Sequence, residues 1–78
     1  MLNKYLQSFL DEFWLNQKEF AQLVGTTIYS VSKWCSKIDP NIPRMSNWNK
    51  IAEVISTYRG LDLDVVLIEM HCAFREVA

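Results

Sequence analysis

The chain has 78 residues, one domain's worth, a size at which a single dense core must hold the fold without metals or disulfides. Half of the residues are apolar, including three Trp, three Tyr and four Phe, more aromatic mass than so small a core buries, which leaves aromatic surface for a partner. The net charge of −1 lacks the basic surplus common in nucleic-acid binders. The longest apolar run, Val65 to Ile68, is far shorter than a membrane span, so the expectation is a soluble, cytoplasmic protein with no membrane partner.

The distribution of charge is more informative than its sum. From Trp14 to Arg59 there are six basic residues (Lys18, Lys33, Lys37, Arg44, Lys50, Arg59) and three acidic ones (Glu19, Asp39, Glu53), a balance of +3. Residues 1–13 sum to −1 and residues 60–78 to −3. A basic middle between acidic ends suits a domain that presents one side to an anion. Cys35 and Cys72 have neither paired nor metal-ligand spacing and read as reduced, structural thiols.

Leu2, Tyr5, Leu6, Phe9, Leu10 and Phe13 recur at steps of three and four and predict a first helix. Asn16 with Glu19 three residues later forms a capping-box pattern, so a second helix starts at Gln17. It carries Phe20, Ala21, Leu23 and Val24 and stops at Gly25, a residue suited to positive φ. Thr27 then caps a third helix, which reaches Ser36, turns Val31 and Trp34 inward and leaves Tyr29, Ser32, Lys33 and Ser36 pointing elsewhere.

The two prolines and the Asn of the stretch from Lys37 to Arg44 prescribe a loop. Met45, Trp48, Ile51, Ala52 and Ile55 predict a fourth helix from about Ser46 to Thr57, and Gly60 ends that unit. Beyond Asp62 two apolar stripes coexist, Leu63, Val66, Leu67, Met70 and Phe74 on one side and Val65, Ile68 and Cys72 on another. The segment reads as a helix, with a β-branched strand as the alternative. An element apolar on so much of its circumference needs a second surface, and Val65, Ile68 and Cys72 are the expected dimerisation residues. The division is residues 1–60 as the main domain and 61–78 as a dimerisation segment. The fold class is all-α, with four to five short helices.

The run from Leu15 to Trp34 resembles the helix-turn-helix of the Cro and lambda-type phage repressor family: Gln17, Ala21, Gly25, Thr27, Val31 and Trp34 stand in that family's order and spacing. The segment from Pro43 to Ala52 is similar to the family's next segment, in which a proline precedes a helix, so the likeness covers roughly residues 2–57. Two helices crossing steeply need a small residue at the crossing, a permissive one in the turn and apolar anchors below, which Ala21, Gly25 and Val31 supply. Three departures stand out. The loop before Pro43 is about two residues longer than usual in the family. Cys35 replaces a common acidic residue, and Ile28 and Tyr29 replace residues that are often polar.

The resemblance implies a lambda-repressor-like DNA-binding domain with the segment from Thr27 to Ser36 as recognition helix, facing the major groove of a double-stranded DNA operator. Ile28, Tyr29, Ser32 and Lys33 then contact bases, with Lys33 donating to guanine and Ile28 or Tyr29 packing on a thymine methyl. Gln17, Thr27, Ser36, Lys37 and Arg44 meet the backbone, with Lys50 adding attraction. The expected role is a sequence-specific transcriptional regulator of phage or prophage type, acting as a homodimer in a bacterial host cell. The alternative is an antirepressor or modulator whose exposed Ile28 and Tyr29 bind another regulatory protein. No nucleophile-and-base pair, phosphate loop or metal spacing stands in the sequence, and His71 and Cys72 are adjacent on a helix and diverge, so neither an enzyme nor a cofactor is expected.

Overall fold

A computed structural model describes residues 2–38 and 42–75. Five helices occur in order: α1 (Leu2–Glu12), α2 (Gln17–Val24), α3 (Ile28–Trp34), α4 (Met45–Arg59) and α5 (Leu63–Arg75). No strand occurs among the described residues. Helix α1 packs on α3 and α5, α2 on α3 and α4, and α4 on α5. One core therefore serves all five: Leu6, Phe9 and Leu10 of α1, Phe20, Ala21 and Val24 of α2, Val31 and Trp34 of α3, Ile51, Ala52 and Ile55 of α4, and Val66 and Met70 of α5. Asp39, in the predicted loop, lies outside the described residues.

Local chemistry sets the boundaries. The Asn16 carboxamide accepts from the Glu19 amide at 2.7 Å and the Glu19 carboxylate accepts from the Asn16 amide at 3.1 Å, closing the capping box at the start of α2. The Thr27 hydroxyl accepts from the Ser30 amide at 3.2 Å and starts α3. Three helices end in the same motif, in which the residue after the last turn is left-handed and the next amide reaches back to the carbonyl five residues earlier. These bonds run from Leu15 to Leu10 (2.9 Å), from Thr26 to Ala21 (2.9 Å) and from Leu61 to Ser56 (3.1 Å). The left-handed residue is Gly25 (φ 84°) after α2 and Gly60 (φ 67°) after α4, but Trp14 (φ 59°) after α1.

The segment after Asp62 is helix rather than strand. The Asp62 carbonyl accepts from the amides of Val65 and Val66, opening the helix. Val66, Met70 and Ala73 then fall under the core at helical steps, a burial that a period of two does not reproduce. The predicted inward stripes shorten at their ends. Leu63 and Phe74 are exposed, because they overhang the core at either end of α5, and Phe74 rests edge-on against Trp48 at 6.2 Å. Met45 and Leu23 are likewise exposed, the first because it opens α4 ahead of the packed turns.

Arg59 joins α1, α4 and α5. Its Nε donates to Glu12 Oε1 at 3.0 Å, its Nη1 donates to the Tyr5 hydroxyl at 3.4 Å and lies 3.7 Å from Glu69 Oε1, and the guanidinium carbon sits 5.5 Å from the Tyr5 and Phe9 ring centres. The Tyr5 hydroxyl in turn donates to Glu69 Oε1 at 2.7 Å. A basic residue counted with the middle of the chain is thus spent inside the fold.

Burial, followed by the bond to the Glu69 carboxylate and its charge, pushes the Tyr5 phenol well above its ordinary value of 10, against a smaller opposing pull from Arg59. The folded state therefore holds this proton more tightly than the unfolded chain. The resulting stability is complete below pH 10 and declines as pH rises beyond it, by at most about 1.4 kcal/mol per pH unit. Urea unfolding between pH 9 and 11 should show this loss in the wild type and a flatter profile in Tyr5→Phe; equal slopes would contradict the assignment.

Trp14 is 92% exposed, so it forfeits no packing when replaced, while its left-handed backbone costs a side-chain-bearing residue about 1–2 kcal/mol. Trp14→Gly should raise stability by about 1 kcal/mol in chemical denaturation, and Gly25→Ala should lower it by a similar amount, since its added methyl meets only the Lys50 ammonium at 3.9 Å and the backbone alone carries the strain. A Trp14→Gly variant less stable than wild type would refute this reading.

Candidate nucleic-acid interface

Helix α3 has one buried edge and one open face. Val31 and Trp34 are buried, whereas Ile28 and Tyr29 are 48% and 71% exposed and Ser32 also faces solvent. Lys33 folds back so that its ammonium lies 5.6 Å from the centre of the Tyr29 ring, a cation–π contact within one turn of helix. The two side chains form one unit, a cation held on an aromatic face.

Beside this unit lies a cleft of about 160 Å³ lined by Tyr29, Ser30, Lys33, Trp34, Ile42, Arg44 and Asn47. Buried Pro43 anchors the strand of loop that leads into α4, and Arg44 occupies the N-cap position without a side-chain cap. The first turn of α4 holds no acidic residue. The cleft thus combines two cations, two small polar side chains and the amide end of a fifteen-residue helix, a composition that favours an anion. No salt bridge engages Lys33 or Arg44 among the described residues.

The remaining predicted positions scatter around this centre. Thr27 is exposed, but its hydroxyl is engaged with Ser30, accepting from its amide and donating to its Oγ at 3.1 Å. Gln17 is half-buried at the start of α2. The Lys50 ammonium lies over Gly25, at the turn between α2 and α3. Lys37 is exposed on a different side, where it lines a cleft of about 350 Å³ with Asn3, Lys4, Gln7, Ser8, Asp11 and Cys35. Ser36 is half-buried, its hydroxyl accepts from the Ile38 amide and its carbonyl is held by α1. Lys33, Tyr29 and Arg44 are therefore brought together, and Lys37 is not brought to their cleft.

Several residues escape a reading of the sequence. Asn47 and Ser30 line the cationic cleft, with nothing in their spacing to single them out. Asn3 does leave a trace, being a polar residue in phase with Leu6 and Leu10 on the apolar stripe of α1. It is buried, its Nδ2 donates to the Ser36 carbonyl at 3.0 Å, and its Oδ1 has no partner among the described residues. This bond ties the end of α3 to the first turn of α1.

The expected dimerisation residues Val65, Ile68 and Cys72 share an exposed face of α5. Both thiols are free, but they differ: burial pushes Cys35 up to about 11, while Cys72 is exposed. Comparison with protein-family models, with curated proteins and with solved structures finds no match to this chain. No helix among the described residues is long and apolar enough to cross a membrane.

At pH 8, and at a protein concentration low enough to keep the chain monomeric, a maleimide should modify one thiol per chain, Cys72, at least about tenfold faster than the other, because the thiolate is the reacting form and Cys35 is both shielded and protonated. Cys72→Ser should abolish the fast phase. Two equally fast thiols in the wild type would contradict the burial of Cys35.

Proposed function

We propose that this chain is a sequence-specific DNA-binding regulator of the phage repressor type, with α2 and α3 as its helix-turn-helix and α3 as its recognition helix. The carrying observation is the grouping of Tyr29, Lys33 and Arg44 on one open face with no competing salt bridge among the described residues. In this reading Lys33, steadied by Tyr29, donates to a guanine edge, Ile28 and Tyr29 pack on thymine methyls, and Ser32 adapts to either. Arg44, Asn47 and the start of α4 take a phosphate, while Gln17, Thr27 and Lys50 approach the backbone on the other side of the helix.

The charge balance limits affinity. With Arg59 engaged internally, about three to five phosphate contacts remain per subunit, giving weak binding by one copy and a modest dependence on salt. A homodimer doubles the contacts across two half-sites. The second reading, a modulator that binds another regulator, is favoured by the exposure of Ile28 and Tyr29, an apolar pair as suited to protein as to thymine.

Selection from a random duplex library followed by mobility-shift assays separates the two readings. The proposal expects an enriched sequence, binding that weakens as salt rises, and a loss of about 1–3 kcal/mol on Lys33→Ala. Arg44→Ala should weaken all sequences alike and reduce the salt slope by about 1 per subunit. Failure to enrich any sequence, or a complex indifferent to both substitutions, would sink the DNA reading.

A further inference from the structure

Helix α1 buries a polar side chain on its apolar stripe. Asn3 is 6% exposed, and its Oδ1 is shut off from water and accepts from no donor among the described residues. Buried acceptors are nearly always satisfied, so an orphaned one calls for an explanation. Asn3 is also a wall of the cleft of about 350 Å³ between α1 and the residues that follow α3.

The charges around this cleft are ordered. Lys4, Gln7 and Asp11 line it from one side of α1. Lys4 and Asp11 are exposed, seven residues and about 10 Å apart along the helix. The bond from Asn3 to the Ser36 carbonyl sets the end of α3 beside the first turn of α1, so Lys37 joins Lys4 at one end of the cleft. Asp11 stands at the other end, its Oδ1 accepting from Gln7 Nε2 at 3.0 Å. None of Lys4, Asp11 and Lys37 has an ion-pair partner among the described residues. The cleft is therefore basic at one end and acidic at the other, with an unmet acceptor near its basic end.

A matching ligand carries an anion and a cation about 10 Å apart, with a hydrogen-bond donor between them. A nucleic-acid backbone, anionic throughout, would meet Asp11. An α-amino acid has both charges on one carbon, too close together to serve both ends. Three peptide residues, at up to about 3.3–3.6 Å each, span the distance, and their amides are donors. We propose that this cleft binds a short peptide by its two free ends, with the carboxylate at Lys4 and Lys37, the ammonium at Asp11 and one amide on Asn3 Oδ1. That oxygen is covered by the cleft wall, so the wall gives way as the amide enters. Since Asn3 also holds Ser36, the occupant acts on the end of α3. Nothing in this assignment rests on the DNA reading.

Recognition through ends and backbone does not depend on side chains, so trialanine is a sufficient probe. Titrated into the ¹⁵N-labelled chain, it should bind with a Kd of about 1 mM or tighter. Saturable shifts should fall on the amides of Asn3 to Asp11 and Cys35 to Lys37 and on the side-chain amide of Asn3. Acetylating its amine or amidating its carboxylate should each weaken binding about three-fold, the worth of an exposed charge pair, and blocking both ends about tenfold. Asp11→Asn, at an exposed position, should make binding indifferent to acetylation while amidation still weakens it. Lys37→Ala should do the reverse, reducing the effect of amidation alone.

The absence of a saturable shift, equal binding of the doubly blocked peptide, or the same shifts with alanine alone would overturn the proposal. So would an acetylation effect that survives Asp11→Asn, since the ammonium would then lie elsewhere. No DNA is present in the titration, so each of these failures leaves the DNA reading intact.

Discussion

A helix of seven residues is too short to hold its own conformation in water, because nucleation consumes most of what its few hydrogen bonds return. Helix α3 exists because its neighbours fix it at three places. Thr27 satisfies an amide at its start, Val31 and Trp34 sink into the shared core, and Asn3 on α1 grips the carbonyl of Ser36 just past its end. The polar contact matters for direction as much as for stability: two apolar anchors on one edge hold the helix down, and a directional bond at the far end limits its swing. What α3 shows to the outside is a consequence of being held this way. Its opposite edge, with Ile28, Tyr29, Ser32 and Lys33, is left facing outward.

The same logic explains where the charge goes. The acidic and basic residues do not simply divide into ends and middle. Arg59 sits among Glu12, Glu69 and the faces of Tyr5 and Phe9, tying the two ends of the chain to α4. That junction consumes one cation and two carboxylates, and it lies in the part of the core made by α1, α4 and α5. Among the described residues, Lys33 and Arg44 line the cleft beside α3 and the start of α4 without a salt bridge, with Lys50 over the adjoining turn. A protein that is acidic overall thus keeps a small cationic surface at one place, next to an aromatic ring that restrains one of the cations.

Much of the fold was legible in the sequence because it is written locally. The capping pair of Asn16 and Glu19, the threonine cap at Thr27 and the glycines at 25 and 60 act on their own neighbours, and each marks the boundary it should. The segment after Asp62 was ambiguous because Val65, Val66 and Ile68 suit either a strand or a helix. Only packing against α1 and α4 decides between periods of two and 3.6. Long-range contacts were not legible. Nothing adjacent to Arg59 announces Glu69 or Tyr5, and nothing in the spacing of Asn47 joins it to Lys33. Trp14 is a different case, a bulky residue in a left-handed position that its two structural equivalents give to glycine. Of the candidate site, Tyr29 and Lys33 could be paired from one helical turn, whereas Lys37, given a backbone contact by the family resemblance, lines the cleft on the α1 side.

The central claim is that the open face of α3 and the start of α4 form one DNA-contacting surface. Backbone amide shifts recorded while the ¹⁵N-labelled protein is titrated with a duplex selected by it test this residue by residue. The account predicts large shifts at Ile28 to Lys33 and Arg44 to Asn47, smaller ones at Gln17 and Lys50, and little change along Val65 to Cys72. Shifts concentrated on α5 or in the cleft of Asn3 and Lys37, with α3 unmoved, would contradict it.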